Sequence, residues 1–149
     1  MDNRNRNTTR EFVSTSQNED IRDAVMEWVN SCPLKPRKVE YCFLGKQSGI
    51  AVSPIQSAFK IARYIYGGYK AQYQFEIRYR LIAANAEERI AADELLNSIG
   101  GWMEENTPAP PEGVSWWKAS RNTGAVPDIA YDNGAEDHTI QMNIIYEVI

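Results

Sequence analysis

The sequence predicts an α+β fold: an antiparallel or mixed β-sheet with a long β-hairpin, and two helices packed on one face. Three observations carry this. Residues 69 to 81, YKAQYQFEIRYRL, alternate with a period of two. Tyr69, Ala71, Tyr73, Phe75, Ile77, Tyr79 and Leu81 fall on one side; Lys70, Gln72, Gln74, Glu76, Arg78 and Arg80 fall on the other. Two stretches elsewhere place apolar residues at helical spacing. The strand-like segments come in blocks rather than alternating with helices, which favours α+β over α/β. At about 3.4 Å per residue the alternating stretch spans roughly 40 Å, long enough to be the spine of the sheet.

The elements follow in chain order. Residues 1 to 17 are polar, with Arg4, Arg6 and Arg10 among them, and read as an N-terminal arm ahead of a single domain over 18–149. Ser16 and Glu19 fit a capping box. Ile21, Val25, Trp28, Val29 and Cys32 then mark an amphipathic helix that Pro33 and Pro36 end. Val39, Tyr41 and Phe43 alternate as a short strand. Ser48 to Ile55 is extended, and Pro54 marks it as an edge or a bend. Phe59 to Tyr66 has strong β propensity, and Gly67-Gly68 turns it into the long strand. Asn85 caps a second helix, with Glu87 and Glu88 in its first turn and Ala91, Leu95, Ile99, Trp102 and Met103 as its stripe. Gly100-Gly101 within it permits close packing on a sheet. Residues 106–113, NTPAPPEG, form a stiff proline-rich loop. Val114 to Ser120 is a strand. Residues 121–137 carry three turn signals and read as a long loop or extended hairpin arm. The final strand alternates through Ile140, Met142, Ile144, Tyr146 and Val148.

Composition narrows the function. The 149 residues are 43% hydrophobic and 24% charged, as in ordinary soluble single domains. A net charge of −4 argues against binding nucleic acid through bulk charge. The apolar runs are too short to span a membrane, and MDNRNRNTTREF has no apolar core of a signal peptide. Cys32 and Cys42 lack metal-site spacing and read as free thiols.

Chemistry is sparse. The single histidine, His138, has no nucleophile in its pattern and reads as structural. No phosphate-binding glycine motif occurs. The pairs Glu87-Glu88 and Glu104-Glu105 fit helix-dipole compensation and solubility better than acid–base catalysis. DNGAED, residues 132–137, lacks the ligand spacing of an EF-hand. The chain reads as no enzyme, with no catalytic, cofactor or metal residues expected. Contact surfaces are better represented. The chain holds eight Tyr and four Trp. Trp116 and Trp117 are adjacent, so on a strand one points inward and the other outward as a candidate interface anchor.

The motifs in order resemble those of the tail terminator, or minor capsid, proteins of long-tailed bacteriophages and prophages. A first helix ends at Cys32-Pro33; FLG follows at Phe43 to Gly45; YQF stands at Tyr73 to Phe75 with a basic, aromatic sequel. A helix closes on Trp102 to Glu105, and an alternating strand spans Ile140 to Val148. The likeness covers residues 18 to 149; the arm and the WWKAS strand depart from it. It implies a structural virion protein in the tail–neck region, assembled in the host cytoplasm as a homo-oligomeric ring of six. Such a ring ends tail-tube growth and joins the tube to the head connector. Its partners would be itself, the tail tube protein and the connector or head-completion protein, with DNA only passing through the lumen and no membrane involved. In that setting the polar face, Lys70, Gln72, Gln74, Glu76, Arg78 and Arg80, would meet a neighbouring subunit, and charge reversal at Arg78 and Arg80 is expected to weaken assembly. Trp116 and Trp117, Asp128 and Tyr131 in the 121–137 loop, and Arg4, Arg6 and Arg10 in the arm complete the expected interface. The alternatives are another neck or head-completion protein, and a monomeric protein-binding adaptor.

Overall fold

A computed structural model of the chain describes residues 10–149. Ten elements follow in order: β1 (Glu11–Phe12), α1 (Thr15–Asn30), β2 (Glu40–Tyr41), β3 (Gly49–Pro54), β4 (Phe59–Arg63), β5 (Tyr69–Leu81), α2 (Ala86–Glu105), β6 (Trp116–Arg121), β7 (Val126–Ala130) and β8 (Glu136–Val148). The fold is α+β, with one eight-stranded open sheet. Every strand pair is antiparallel except β2 with β3.

Two long strands make the spine. β5 and β8 pair over their whole length, from Tyr69↔Val148 to Leu81↔Glu136. Each then carries two short strands end to end on its outer edge. β5 holds β4 and β3; β8 holds β6 and β7. The alternation in residues 69–81 is borne out from Ala71 to Ile77, while Tyr69, Tyr79 and Leu81 at the ends are only half-buried. Ala71, Tyr73, Phe75 and Ile77 are buried, and they face Tyr146, Ile144, Met142 and Ile140 across the ladder.

Both helices cover that apolar face. Ile21, Val25, Trp28 and Val29 of α1 join Leu96, Ile99 and Met103 of α2 in one core with the two strands. Gly100 shows why small residues sit in α2. A Cβ there would lie 2.9 Å from Arg121 Cδ and 3.1 Å from Ile140 Cδ1, so the bare backbone lets the helix settle onto the sheet.

Several local expectations need correction. Helix α1 starts two residues earlier than the capping box suggests: Ser14, not Ser16, is the N-cap, accepting from Gln17 N–H at 3.2 Å. Residues 11–17 therefore belong to the domain rather than to a polar arm. Phe12 pairs with Phe59 through β1, and Val13 is buried and donates its N–H to Ala58 O. The arm positions Arg4 and Arg6 lie outside the described residues. The strand at Val39 to Phe43 shrinks to two residues because Cys42 takes a positive φ of 57° and turns the chain outward, leaving Phe43 exposed. β3 is no edge; it lies between β5 and β2, with Pro54 at its end, where the missing N–H costs the ladder least. The buried stripe of α2 runs through Ala92 and Leu96 rather than Ala91 and Leu95.

Candidate functional site

The face of the sheet opposite the helices is polar, and no helix packs on it among the described residues. The ladder fixes its cross-strand pairs: Lys70↔Glu147, Gln72↔Ile145, Gln74↔Asn143, Glu76↔Gln141, Arg78↔Thr139 and Arg80↔Asp137. Opposite charges meet at both ends, which is the favourable arrangement for directly facing residues.

At the β7 end the charges form a closed network round Asp137, whose side chain is fully buried. Its carboxylate accepts from Arg80 Nε at 2.7 Å and Nη2 at 2.9 Å, from Arg78 Nη1 at 3.0 Å and from the Tyr131 hydroxyl at 2.8 Å. Arg78 also reaches Glu76 at 3.0 Å and Asp128 at 2.6 Å. The Arg80 guanidinium stacks 4.5 Å over the Tyr131 ring and donates to Gly45 O. Burial alone would push the Asp137 carboxyl up, but the bonds from Arg80, Tyr131 and Arg78 outweigh it and hold the pKa below the ordinary carboxylate value. Burial likewise opposes the charge on Arg78, and its bonds to Asp128, Glu76 and Asp137 more than restore it.

The structure thus brings together five residues singled out by sequence: Glu76, Arg78, Arg80, Asp128 and Tyr131. It also gives them a different task. They tie the β7–β8 hairpin and the loop at Gly45 to the sheet, and only 17–18% of each arginine side chain remains exposed. The segment 121–137 is therefore no free arm. Its β7 pairs with β8, and Asn133 donates to Lys46 O at 3.0 Å. Reversing Arg78 and Arg80 would strand a buried carboxylate, so it tests the fold before it tests assembly.

The strand positions at the middle of the face, Gln72, Gln74, Asn143 and Ile145, are uncharged. Gln56 donates to Gln74 Oε1 at 2.9 Å and accepts from Arg10 at 2.7 Å, and Arg10 lies 4.7 Å over the Phe59 ring. Gln72 faces Ile145 and Phe59 on the two neighbouring strands. At the far end Lys70 stands 5.8 Å from the Trp116 ring. There Glu147 accepts from the Tyr64 hydroxyl at 2.6 Å and from Ser115 Oγ at 3.2 Å. That bond pushes the Tyr64 hydroxyl up to about 12 and holds the Glu147 carboxyl low.

The adjacent tryptophans separate as strand geometry requires. Trp116 is 37% exposed on the polar face; Trp117 is 5% exposed. Trp117 lies 4.6 Å from the Trp28 ring and donates its indole N–H to Pro108 O. It is a core residue, and its place in the expected interface is corrected accordingly. His138 is fully buried between α2 and β8, with Nδ1 2.7 Å from Asp93 and Nε2 3.2 Å from Glu136. It pins the helix to the strand and has no nucleophile among its hydrogen-bond partners.

Sequence reasoning missed Asp137 and Glu147. The signal for Asp137 was present: carrying the alternation of the last strand back through Thr139 puts it on the polar phase. The strand expected over Phe59 to Tyr66 ends at Arg63, so Tyr64 lies in the turn. No cluster of three or more His, Cys, Asp or Glu suited to a metal occurs among the described residues. No described helix is long and apolar enough to cross a membrane. No protein-family model matches the chain, and no curated protein matches it.

Proposed function

We propose that this protein is a structural component of a long-tailed phage or prophage virion. It forms a homo-oligomeric ring, six-membered in this reading, at the top of the tail tube. There it ends tube polymerisation and offers a surface to the head connector. The observation that carries the reading is the two-faced β5–β8 ribbon. One face is closed by both helices, and the other presents thirteen-residue strands with polar groups of both signs. A mixed-sign, hydrated face of this kind suits specific protein contact: it fixes register and excludes wrong partners more than it adds raw affinity. The ordered motifs support the same reading. Cys32-Pro33 follows the end of α1, Phe43 to Gly45 follows β2, Tyr73 to Phe75 lies mid-β5, and Trp102 to Glu105 closes α2.

The test is native mass determination of the purified protein, with negative-stain imaging of the same sample, alone and with purified tail tubes. The expected result is a species near six times the 17.0 kDa chain mass, seen as rings or as caps on tube ends. A monomer that leaves tube ends bare would overturn the reading.

A further inference from the structure

The net charge of −4 conceals a local reversal. Residues 33–48, PLKPRKVEYCFLGKQS, hold Lys35, Arg37, Lys38 and Lys46 against Glu40 alone, so this stretch carries +3 and the rest of the chain −7. Arg37, Lys38 and Lys46 are exposed, and none of them has a carboxylate partner among the described residues. Arg63, Arg78, Arg80, Arg89 and Arg121, by contrast, are each neutralised by a carboxylate.

An aromatic ring stands beside these cations, and the backbone puts it there. Cys42 N–H bonds Val52 O, and its φ of 57° then turns the chain outward. A left-handed conformation is uncommon outside glycine, asparagine and aspartate. Strained positions of this kind persist where the surroundings hold them, and they gather at ligand sites. The outcome is Phe43, 68% exposed, at a hollow of about 270 Å³ that Arg37, Lys38, Glu40 and Ser48 also line. That is just below the ~300–1,000 Å³ that encloses a whole small molecule, and it suits one unit of a longer chain. The loop is held at three points. Asn30 bonds both the N–H and the C=O of Val39, Arg80 donates to Gly45 O, and Asn133 donates to Lys46 O. Arg37 is steadied by its bond to Ser48 Oγ at 3.0 Å. Little order therefore has to be gained on binding.

Free cations and an exposed ring on a pre-ordered loop match the needs of a nucleic-acid strand: cations follow its phosphates, and the ring stacks on an unpaired base. An acidic peptide would use the cations and leave the ring idle. In a duplex the base faces are already stacked on one another. The acids elsewhere on the chain do not forbid this, because at ~0.1 M salt exposed charges more than ~10 Å away are largely screened. We infer that the loop between α1 and β3 binds single-stranded nucleic acid, with Phe43 stacked on a base at the hollow and Arg37, Lys38 and Lys46 on its phosphates. Glu40 is the one opposing charge at the site. The inference stands apart from the ring reading above: native mass decides that one, and strand binding decides this one.

The experiment is fluorescence anisotropy of a labelled oligothymidylate with the full-length protein, repeated over a series of salt concentrations. The protein is expected to bind the strand, with affinity falling as salt rises. Phe43→Ala is expected to weaken binding roughly 5- to 100-fold and to leave the salt slope unchanged, since it removes a stacked base and no charge. Arg37→Ala combined with Lys38→Ala is expected to weaken binding and to flatten the log–log salt slope by about 0.7 for each cation lost. Glu40→Gln is expected to tighten binding. All four side chains are exposed, so thermal melts of the variants should match the parent. No binding at low salt overturns the inference, and so does a Phe43→Ala chain that binds as well as the parent. Equal affinity for the duplex with oligoadenylate overturns it too, since that would be charge alone. A polyglutamate peptide that displaces the strand at equal charge would make the partner an acidic protein instead. Rings without strand binding would leave the ring reading standing and this site refuted. Strand binding by a monomer that leaves tube ends bare would do the reverse.

Discussion

The two faces of the β5–β8 ribbon are built from the same thirteen paired positions and hold together by different physics. On the helix side, every central position is apolar and buried, and Tyr73 and Phe75 stack at 5.9 Å. Stability there comes from area removed from water and from close packing, at about 25 cal/mol per Å². On the other side, the same strands carry Glu76, Arg78, Arg80 and Asp137, and the order there comes from directed, charge-assisted bonds. The first face tolerates little change of volume. The second tolerates little change of charge at its β7 end, and much more at the Lys70–Trp116 end, where the groups are exposed.

The largest expected difference is at Phe75, fully buried against Met142 and Pro54 in the ladder. Phe75→Ala is expected to lose about 3–5 kcal/mol of unfolding free energy in denaturant titration, through lost transfer and a cavity. Gln74→Ala, its neighbour on the opposite face, serves as the control and is expected to change little. A comparable loss at Gln74 would mean that the polar face is itself covered, and the contrast between the faces would fail.

Asp137 comes next. Asp137→Ala removes four bonds to charged or hydroxyl donors at once, but leaves Arg78 with Glu76 and Asp128. A loss of about 1.5–3 kcal/mol is expected, since bonds to charged groups contribute that much and two cations stay near the surface. The same residue sets part of the acid limb. Its folded pKa is lowered, so folding favours the deprotonated carboxylate. The stabilisation is complete above its ordinary value of about 3.9 and fades as pH falls through that value to the lower folded one. Glu136, also lowered, with burial opposed by bonds from His138 and Arg89, adds to the same limb. Denaturation midpoints followed from neutral pH down to acid are expected to fall less steeply in Asp137→Ala than in the parent. Equal slopes would show that the network is not held by this carboxylate.

How much of this the sequence made legible divides along the same line. Period-two alternation reported both faces of β5 and most of β8, because side-chain direction on a strand depends on position alone. It therefore predicted the spine and the inward–outward split of Trp116 and Trp117, while helical spacing predicted the two-helix cover. Beyond the hairpin over 59–81, which the Gly67-Gly68 turn marked and the β4–β5 ladder bears out, the sequence did not report which strands pair. The lone Pro54 suggested an edge, yet β3 is flanked on both sides, because a proline at a strand's end spares the ladder. Nor did it show that Asp128 and Tyr131 fold back onto Arg78 and Arg80. Turn signals locate bends, while the target of the returning chain is set by partners some fifty residues distant in sequence, as in the Arg80–Tyr131 bond. Of the two readings of this turn-rich segment, long loop or extended hairpin arm, the hairpin is the one formed, and Arg78, Arg80, Asp128, Asp137 and Tyr131 tie it to the sheet.

The smallest expected effect on stability is at Trp116, and it sharpens the contrast most. Trp116 sits at the open end of the polar face, with Lys70 as its cation–π partner and Glu147 opposite it in the ladder. An exposed cation–π contact contributes about 0.5–1 kcal/mol. Trp116→Ala is therefore expected to shift the unfolding midpoint slightly, while assembly, read as native mass, falls if this end of the face meets a neighbour. The adjacent Trp117 cannot serve that test, because its loss would leave a cavity in the core beside Trp28. A Trp116→Ala chain that is as stable as the parent and assembles as fully would place the contacts away from this end of the face. One that is stable and fails to assemble would place the interface on the uncovered face.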